Sequence, residues 1–202
     1  MSQPKFSPGR YFFRVVLWLP LFFVLWYYLA GLLTIAPAHL SEWLIELIRP
    51  GTLAQVDWVD RQLEYVTHFM VAAPDGVRTG QAVVTINPLM YSWNIPVLLA
   101  LCYAVDESLF SNKRVILAVA ALFPMHAWGL VAEFFVSVLF RMGTEVSGQL
   151  SVSPWQQELA ALCYQFGYLM LPVIGAVSVW FLANRALVQQ LIDGTGQGRA
   201  DP

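Results

Sequence analysis

Two ionisable residues stand inside the apolar stretch "FPMHAWGLVAEFF", residues 123–135. His126 and Glu133 lie seven positions apart, about 10 Å along a helix axis and close to two turns. They share a face but cannot touch through their own helix, so each needs a partner from another element. An ionised carboxylate in a bilayer costs at least about 2.5 kcal/mol even on insertion-derived scales. Glu133 must therefore be neutral, paired, or open to a water-filled cleft. Ionisable groups inside membranes mark functional sites by default, and proton handling or polar recognition is the chemistry this pair offers. The structural alternative is interhelical hydrogen bonding, which averages only about 0.6 kcal/mol per contact, a modest return for burying a carboxylate.

Other chemistries find less support. Cys102 and Cys163 both lie in apolar runs, with neither a disulfide framework nor metal-ligand spacing. A cysteine peptidase needs a base about 3 Å from its thiolate. Cys163 is expected near the outer end of the last helix and His126 deeper in its neighbour, while Cys102 sits near the cytoplasmic end. His39, His68 and His126 are too scattered to supply the three or more ligands of a metal site. No G-x-S-x-G, H-E-x-x-H or Gly-rich phosphate loop occurs. No catalytic residue, metal or cofactor is expected.

The elements that must position these groups are membrane helices. Charged residues make up 12% of the chain, half the roughly 25% of soluble domains. A net charge of −2 creates no global field to attract nucleic acid or anionic lipid. Four apolar stretches approach the about 20 residues a spanning helix needs: 11–35, 88–105, 115–140 and 159–183. The first is too long for the core of a signal peptide, typically about 7–15 residues, so a retained anchor is expected despite Ala36-Pro37-Ala38. Lys5, Arg10, Arg14, Lys113, Arg114, Arg185 and Arg199 fall on one side in short segments. Arg49, Arg61, Arg78 and Arg141 fall on the other in longer loops. The positive-inside rule then makes both termini cytoplasmic.

Residues 36–87 form the outward unit. "PAHLSEWLIELIRPG" places Leu40, Trp43, Leu44 and Leu47 at helical spacing, and Pro50-Gly51 stops the pattern. The stretch reads as an interfacial amphipathic helix or as an extension of the first span. Leu63, Tyr65, Thr67 and Phe69 then alternate with Glu64, Val66, His68 and Met70, a strand signal. "GQAVVTINP" reads as a third strand, with turns near Asp60-Arg61 and at Pro74-Asp75-Gly76. So small an antiparallel sheet must pack on something else, and its edges could accept a strand from another chain. Asn87-Pro88 reads as the cap and first turn of the second span, with Tyr91 and Trp93 as interface aromatics.

The expected architecture is thus a membrane α-helical bundle of four transmembrane helices with a small α+β cap. Its parts are a cytoplasmic N-terminus and first helix (1–35), a periplasmic cap (36–87), helices two to four (88–183) and a cytoplasmic tail (184–202). At comparable outer depth stand Glu133, Gln165 and Asn94, with Tyr164 or Tyr168 beside them and His126 nearer the middle. Together they are expected to line a polar cleft or a partner-facing groove.

"INPLMYSWNIPVLLAL", residues 86–101, and "RVVLWLPLFFVLWYYLAGLL", residues 14–33, resemble the exosortase H-associated membrane proteins. The resemblance implies an inner-membrane accessory protein, found with a transpeptidase-like enzyme that sorts C-terminally anchored surface proteins in Gram-negative bacteria. Exosortases themselves resemble cysteine proteases using Cys, Arg and His in that chain order. Here only Cys102, Arg114 and His126 follow that order, and Cys102 and Arg114 flank the cytoplasmic loop, the wrong side for outward-facing processing. The expected role is therefore a non-enzymatic scaffold contacting membrane lipid and a multi-span exosortase-like enzyme, with a homo-oligomer also open. The rival role is a small membrane enzyme or proton-coupled carrier using Glu133 and His126.

Overall fold

The computed structural model describes residues 8–72, 79–105, 112–185 and 188–189. The chain opens with one uninterrupted helix, α1 (Pro8–Ile48), of 41 residues. At 1.5 Å per residue it is about 60 Å long, twice a bilayer's hydrocarbon core. It therefore crosses and keeps going. Residues 36–48, the candidate for a separate interfacial helix, are its continuation, so that part of the expected cap is corrected. Pro37 does not stop the helix, and Ala38, Ser41 and Ile45 turn a buried face toward the sheet.

The sheet follows as β1 (Leu53–Val59), β2 (Gln62–Ala72) and β3 (Thr79–Ile86), antiparallel in the order β1-β2-β3. Asp60 and Arg61 both take positive φ, 46° and 65°. Two left-handed residues in a two-residue loop twist in the same sense as the strands they join. The turn expected at Pro74-Asp75-Gly76 lies outside the described residues. The alternation along β2 holds: Leu63, Tyr65 and Thr67 are buried.

Several side chains fasten this sheet to α1. Ser41 Oγ and Tyr65 Oη lie 2.7 Å apart. Burial holds the Tyr65 hydroxyl above its ordinary pKa despite that hydrogen bond, so it stays a phenol. The Arg61 guanidinium sits 4.3 Å from the centre of the Tyr27 ring. Glu46 accepts hydrogen bonds from the backbone of Gly51 at 2.7 Å and Leu53 at 2.6 Å, fixing the turn into β1.

From β3 the chain enters α2 (Leu89–Ser92) and α3 (Asn94–Ala104). Asn87 Oδ1 accepts from the Leu89 amide at 3.1 Å, as a helix-starting cap should. Next come α4 (Asn112–Ala120) and α5 (Phe123–Val136), the latter running into a wide π turn at Ser137–Arg141. The segment expected as a loop after residue 141 contains α6 (Thr144–Leu150) and the start of α7 (Pro154–Gln165). A capping box at Ser153 and Gln156 begins α7. A second π turn, Phe166–Met170, leads into α8 (Leu171–Ala183).

Among the described residues, three helical runs are long and apolar enough to cross a membrane: Pro8–Ile48, Lys113–Arg141 and Pro154–Ala183. The run Leu89–Ala104, expected as a fourth, is shorter. Two apolar cores result. One, on the sheet side, joins Ile45, Tyr65 and Ile86 to Tyr91, Phe134 and Val138. The other, at the opposite end, gathers Leu98, Cys102, Leu122, Val179 and Trp180.

Candidate functional site

Helix α5 carries both ionisable groups, and the surrounding elements give them separate partners. Glu133 is buried, and each of its carboxyl oxygens is engaged. Tyr91 Oη donates to Oε2 across from α2. Arg141 Nη1 donates to Oε1 at 2.9 Å. Arg141 is eight residues further along the same helical run, and its Nη1 also reaches Ser137 Oγ at 3.3 Å. Its Nη2 donates to Tyr164 Oη on α7 at 3.2 Å. The Tyr164 ring stacks on Tyr168 with centroids 5.6 Å apart, and Tyr168 meets Tyr91 edge-on at 6.4 Å. A ladder of hydrogen bonds runs from Tyr91 through Glu133 and Arg141 to Tyr164, and the Tyr168 ring packs between the rings at its two ends.

Local sequence makes the ladder possible. Gly129 leaves room for the Tyr91 ring, which a methyl group there would overlap. The π turn after Val136 ends with the Met142 amide on the Ser137 carbonyl at 3.1 Å. Such widened turns recur at functional sites because they re-aim side chains. Arg141, on the last residue of that turn, keeps half of its side chain accessible (49%) while the Glu133 side chain is 11% accessible. The ladder thus begins in the core and ends at the surface with a cation and a phenol.

His126 and Asn94 form the second polar site. His126 Nε2 and Asn94 Oδ1 are 2.8 Å apart, joining α5 to α3. Both side chains are buried. Among the described residues, Asn94 Nδ2 and His126 Nδ1 have no hydrogen-bond partner. Gln165, at the end of α7, is exposed. Of the four residues expected around one cleft, two pair with each other, Glu133 pairs with Tyr91 and Arg141, and Gln165 faces outward. Tyr164 joins the Glu133 ladder, and Tyr168 packs against its rings.

Sequence reasoning missed Arg141, Ser137 and the role of Tyr91. Arg141 entered only as a loop charge, and Tyr91 as an interface aromatic. In the structure Tyr91 is buried with its hydroxyl on Glu133. One signal was available: Glu133, Ser137 and Arg141 recur every four residues, a spacing that puts an acid and a base on one helix side. Neither cysteine approaches a histidine through a hydrogen bond among the described residues. Cys102 is buried in the core opposite the sheet, and Cys163 is half-buried.

The family profile of exosortase H-associated membrane proteins matches residues 5–187, nearly the whole chain. The chain belongs to that family. It is a membrane protein, and its family is named for association with an exosortase. No curated protein and no solved structure matches the chain. The match covers every element that builds the Glu133 ladder and the His126–Asn94 pair.

Proposed function

We propose that this exosortase H-associated protein is a non-enzymatic scaffold that holds an exosortase-like sorting enzyme through the open end of the Glu133 ladder. One observation carries the reading. Both carboxyl oxygens of Glu133 are already bound, while Arg141 and Tyr164 stand at the surface. A carboxylate with a donor on each oxygen, one of them a cation, is a weakened base and poorly placed to take a proton from a substrate. A guanidinium held by its own carboxylate is well placed to dock on a partner's carboxylate or carbonyls.

The protein has four spans and inner-membrane placement in this reading, with both termini cytoplasmic and the sheet periplasmic. Support for Leu89–Ala104 as the fourth span comes from its far end. Helix ends leave carbonyls unpaired, and a bilayer cannot supply their partners. The Leu101 carbonyl accepts from Tyr11 Oη at 3.0 Å and Trp180 Nε1 at 3.1 Å, and Arg14 Nη1 lies 3.5 Å from the Ala104 carbonyl. At its start, Ser92 Oγ receives Trp26 Nε1 at 3.2 Å. The short run therefore reaches along α1 from Trp26 back to Tyr11. It brings the start of α1 and the end of α8 to one side, away from the sheet. Among the described residues, Arg10, Arg14, Lys113, Arg114 and Arg185 flank that side, which the positive-inside rule assigns to the cytoplasm.

The test is a gentle-detergent pull-down of the tagged full chain from its native membrane, wild type beside Arg141→Ala. The expected result is a multi-span sorting enzyme that comes down with wild type and is lost with the variant. A chain that comes down alone in both would overturn the scaffold. A proton-coupled carrier is the second reading, favoured by the unpartnered Nδ1 of buried His126. Proton uptake into vesicles holding the pure chain, abolished by His126→Gln, would establish it.

A further inference from the structure

A groove of about 290 Å³ opens on the sheet side of the bundle, between the end of α1, α5 and α7. Its walls are apolar: Leu44 and Ile48 on α1, Val131 and Phe135 on α5, Trp155 and Leu159 on α7. It runs along α5 and into the π turn that follows, from Trp128 to Leu139. Eleven helical steps of 1.5 Å make that about 16 Å. Half of a hydrocarbon core about 30 Å thick is one leaflet, so the groove is as long as one layer of acyl chains.

The two ends of the groove differ. At the end away from the sheet, Trp128 Nε1 donates to the Cys163 carbonyl at 3.3 Å, and no charged side chain among the described residues lines the groove there. At the sheet end stands Arg49, the first residue past α1, half-buried and lining the groove. Its guanidinium has no ion-pair or hydrogen-bond partner among the described residues. Arg61 covers an aromatic ring and Arg141 has its carboxylate, whereas Arg49 has neither. Trp155, exposed beside it, is the amphipathic residue that settles at headgroup depth. A cation at the mouth of a leaflet-length apolar slot is complementary to an anionic amphiphile.

We infer that this groove is a binding site for one anionic phospholipid of the leaflet on the sheet side. An acyl chain lies along α5 between α1 and α7, and the phosphate rests on Arg49. The site is independent of the exosortase reading, because none of the Glu133 ladder residues lines it.

Native mass spectrometry of the full chain, released from mild detergent, tests the site with phosphatidylglycerol and phosphatidylcholine of identical acyl chains. Wild type should retain one phosphatidylglycerol about fivefold better than phosphatidylcholine, the discrimination of one basic residue near a membrane surface. Arg49→Gln should bring the two lipids level. Leu159→Trp fills the groove from an exposed position, so the fold survives, and it should reduce retention of both. Equal retention in wild type, or a preference untouched by Arg49→Gln, overturns the headgroup assignment. Unchanged retention in Leu159→Trp overturns the groove as the place. A dimer that dissociates in Leu159→Trp overturns the lipid and assigns the groove to a second copy of the chain.

Discussion

The two polar sites on α5 solve the same problem in opposite ways. At Glu133 both carboxyl oxygens have a partner, and the chain of contacts leads out to solvent through Arg141 and Tyr164. His126 makes one hydrogen bond among the described residues, to Asn94, and the two remaining nitrogens are buried in the bundle. Buried polar groups are worth most when fully satisfied and are a burden when half satisfied. The ladder is therefore read as a fixed strut, and the His126–Asn94 pair as a site that holds two helices in register at a cost.

The largest effect should come from removing the strut's centre. Glu133→Ala leaves the buried Tyr91 hydroxyl without an acceptor and Arg141 without its carboxylate. An orphaned buried hydroxyl alone costs about 1–3 kcal/mol, and the lost ion pair adds less because Arg141 is half in solvent. Thermal unfolding in detergent should register a loss of about 3 kcal/mol. A loss under about 0.5 kcal/mol, the scale of an ordinary surface change, would mean that the ladder holds nothing together.

Gly129→Ala attacks the same strut through shape. The added methyl group meets the Tyr91 ring, which must leave its place above Gly129 and pull its hydroxyl from Glu133. Overpacking of this kind costs about 1–3 kcal/mol. The variant should also lose the Tyr91–Glu133 coupling in a double-mutant cycle with Tyr91→Phe. Full coupling in the presence of the methyl group would show that Tyr91 has another seat.

The second site should respond with the opposite pattern. His126→Phe alone strands the whole Asn94 amide in the core and should cost about 1–3 kcal/mol. Adding Asn94→Leu removes the remaining polar atoms, and the double variant should recover to within about 1 kcal/mol of wild type. Recovery would confirm that the pair is a half-satisfied contact. If the double variant falls further than the single, the two vacant nitrogens have partners in the membrane that matter.

Much of this arrangement was legible in the sequence, and the failures share a cause. Strand alternation and the Asp60-Arg61 turn are local signals, and β1 to β3 follow them. The apolar runs located the helices because length and composition suffice for that. The separate cap helix failed because amphipathic spacing in "HLSEWLIELI" describes any helix half covered by protein. Here the sheet supplies the cover through Tyr65 and Ser41. Grouping Asn94, His126, Glu133 and Gln165 by depth ignored rotation about each helix axis, which one chain's sequence does not encode. The π turn at Ser137–Arg141 shifts that rotation further, and Arg141 at its end meets Glu133.

The smallest and most discriminating change keeps the charge. Arg141→Lys retains a cation beside Glu133, so Coulomb attraction and the count of charges survive. A lysine ammonium is a compact point charge, whereas the guanidinium fork reaches Glu133, Ser137 and Tyr164 at once. The variant can keep the Glu133 contact but must drop the bridge to α7. Since that bridge is exposed, unfolding should shift by only about 0.5 kcal/mol. The stacked Tyr164 and Tyr168 rings should loosen, which tyrosine-ring relaxation in detergent-solubilised protein would register. If stability is unchanged and the rings stay locked, stacking alone positions the surface end of the ladder. The contrast with the His126–Asn94 pair would then rest on Glu133 and Tyr91 only.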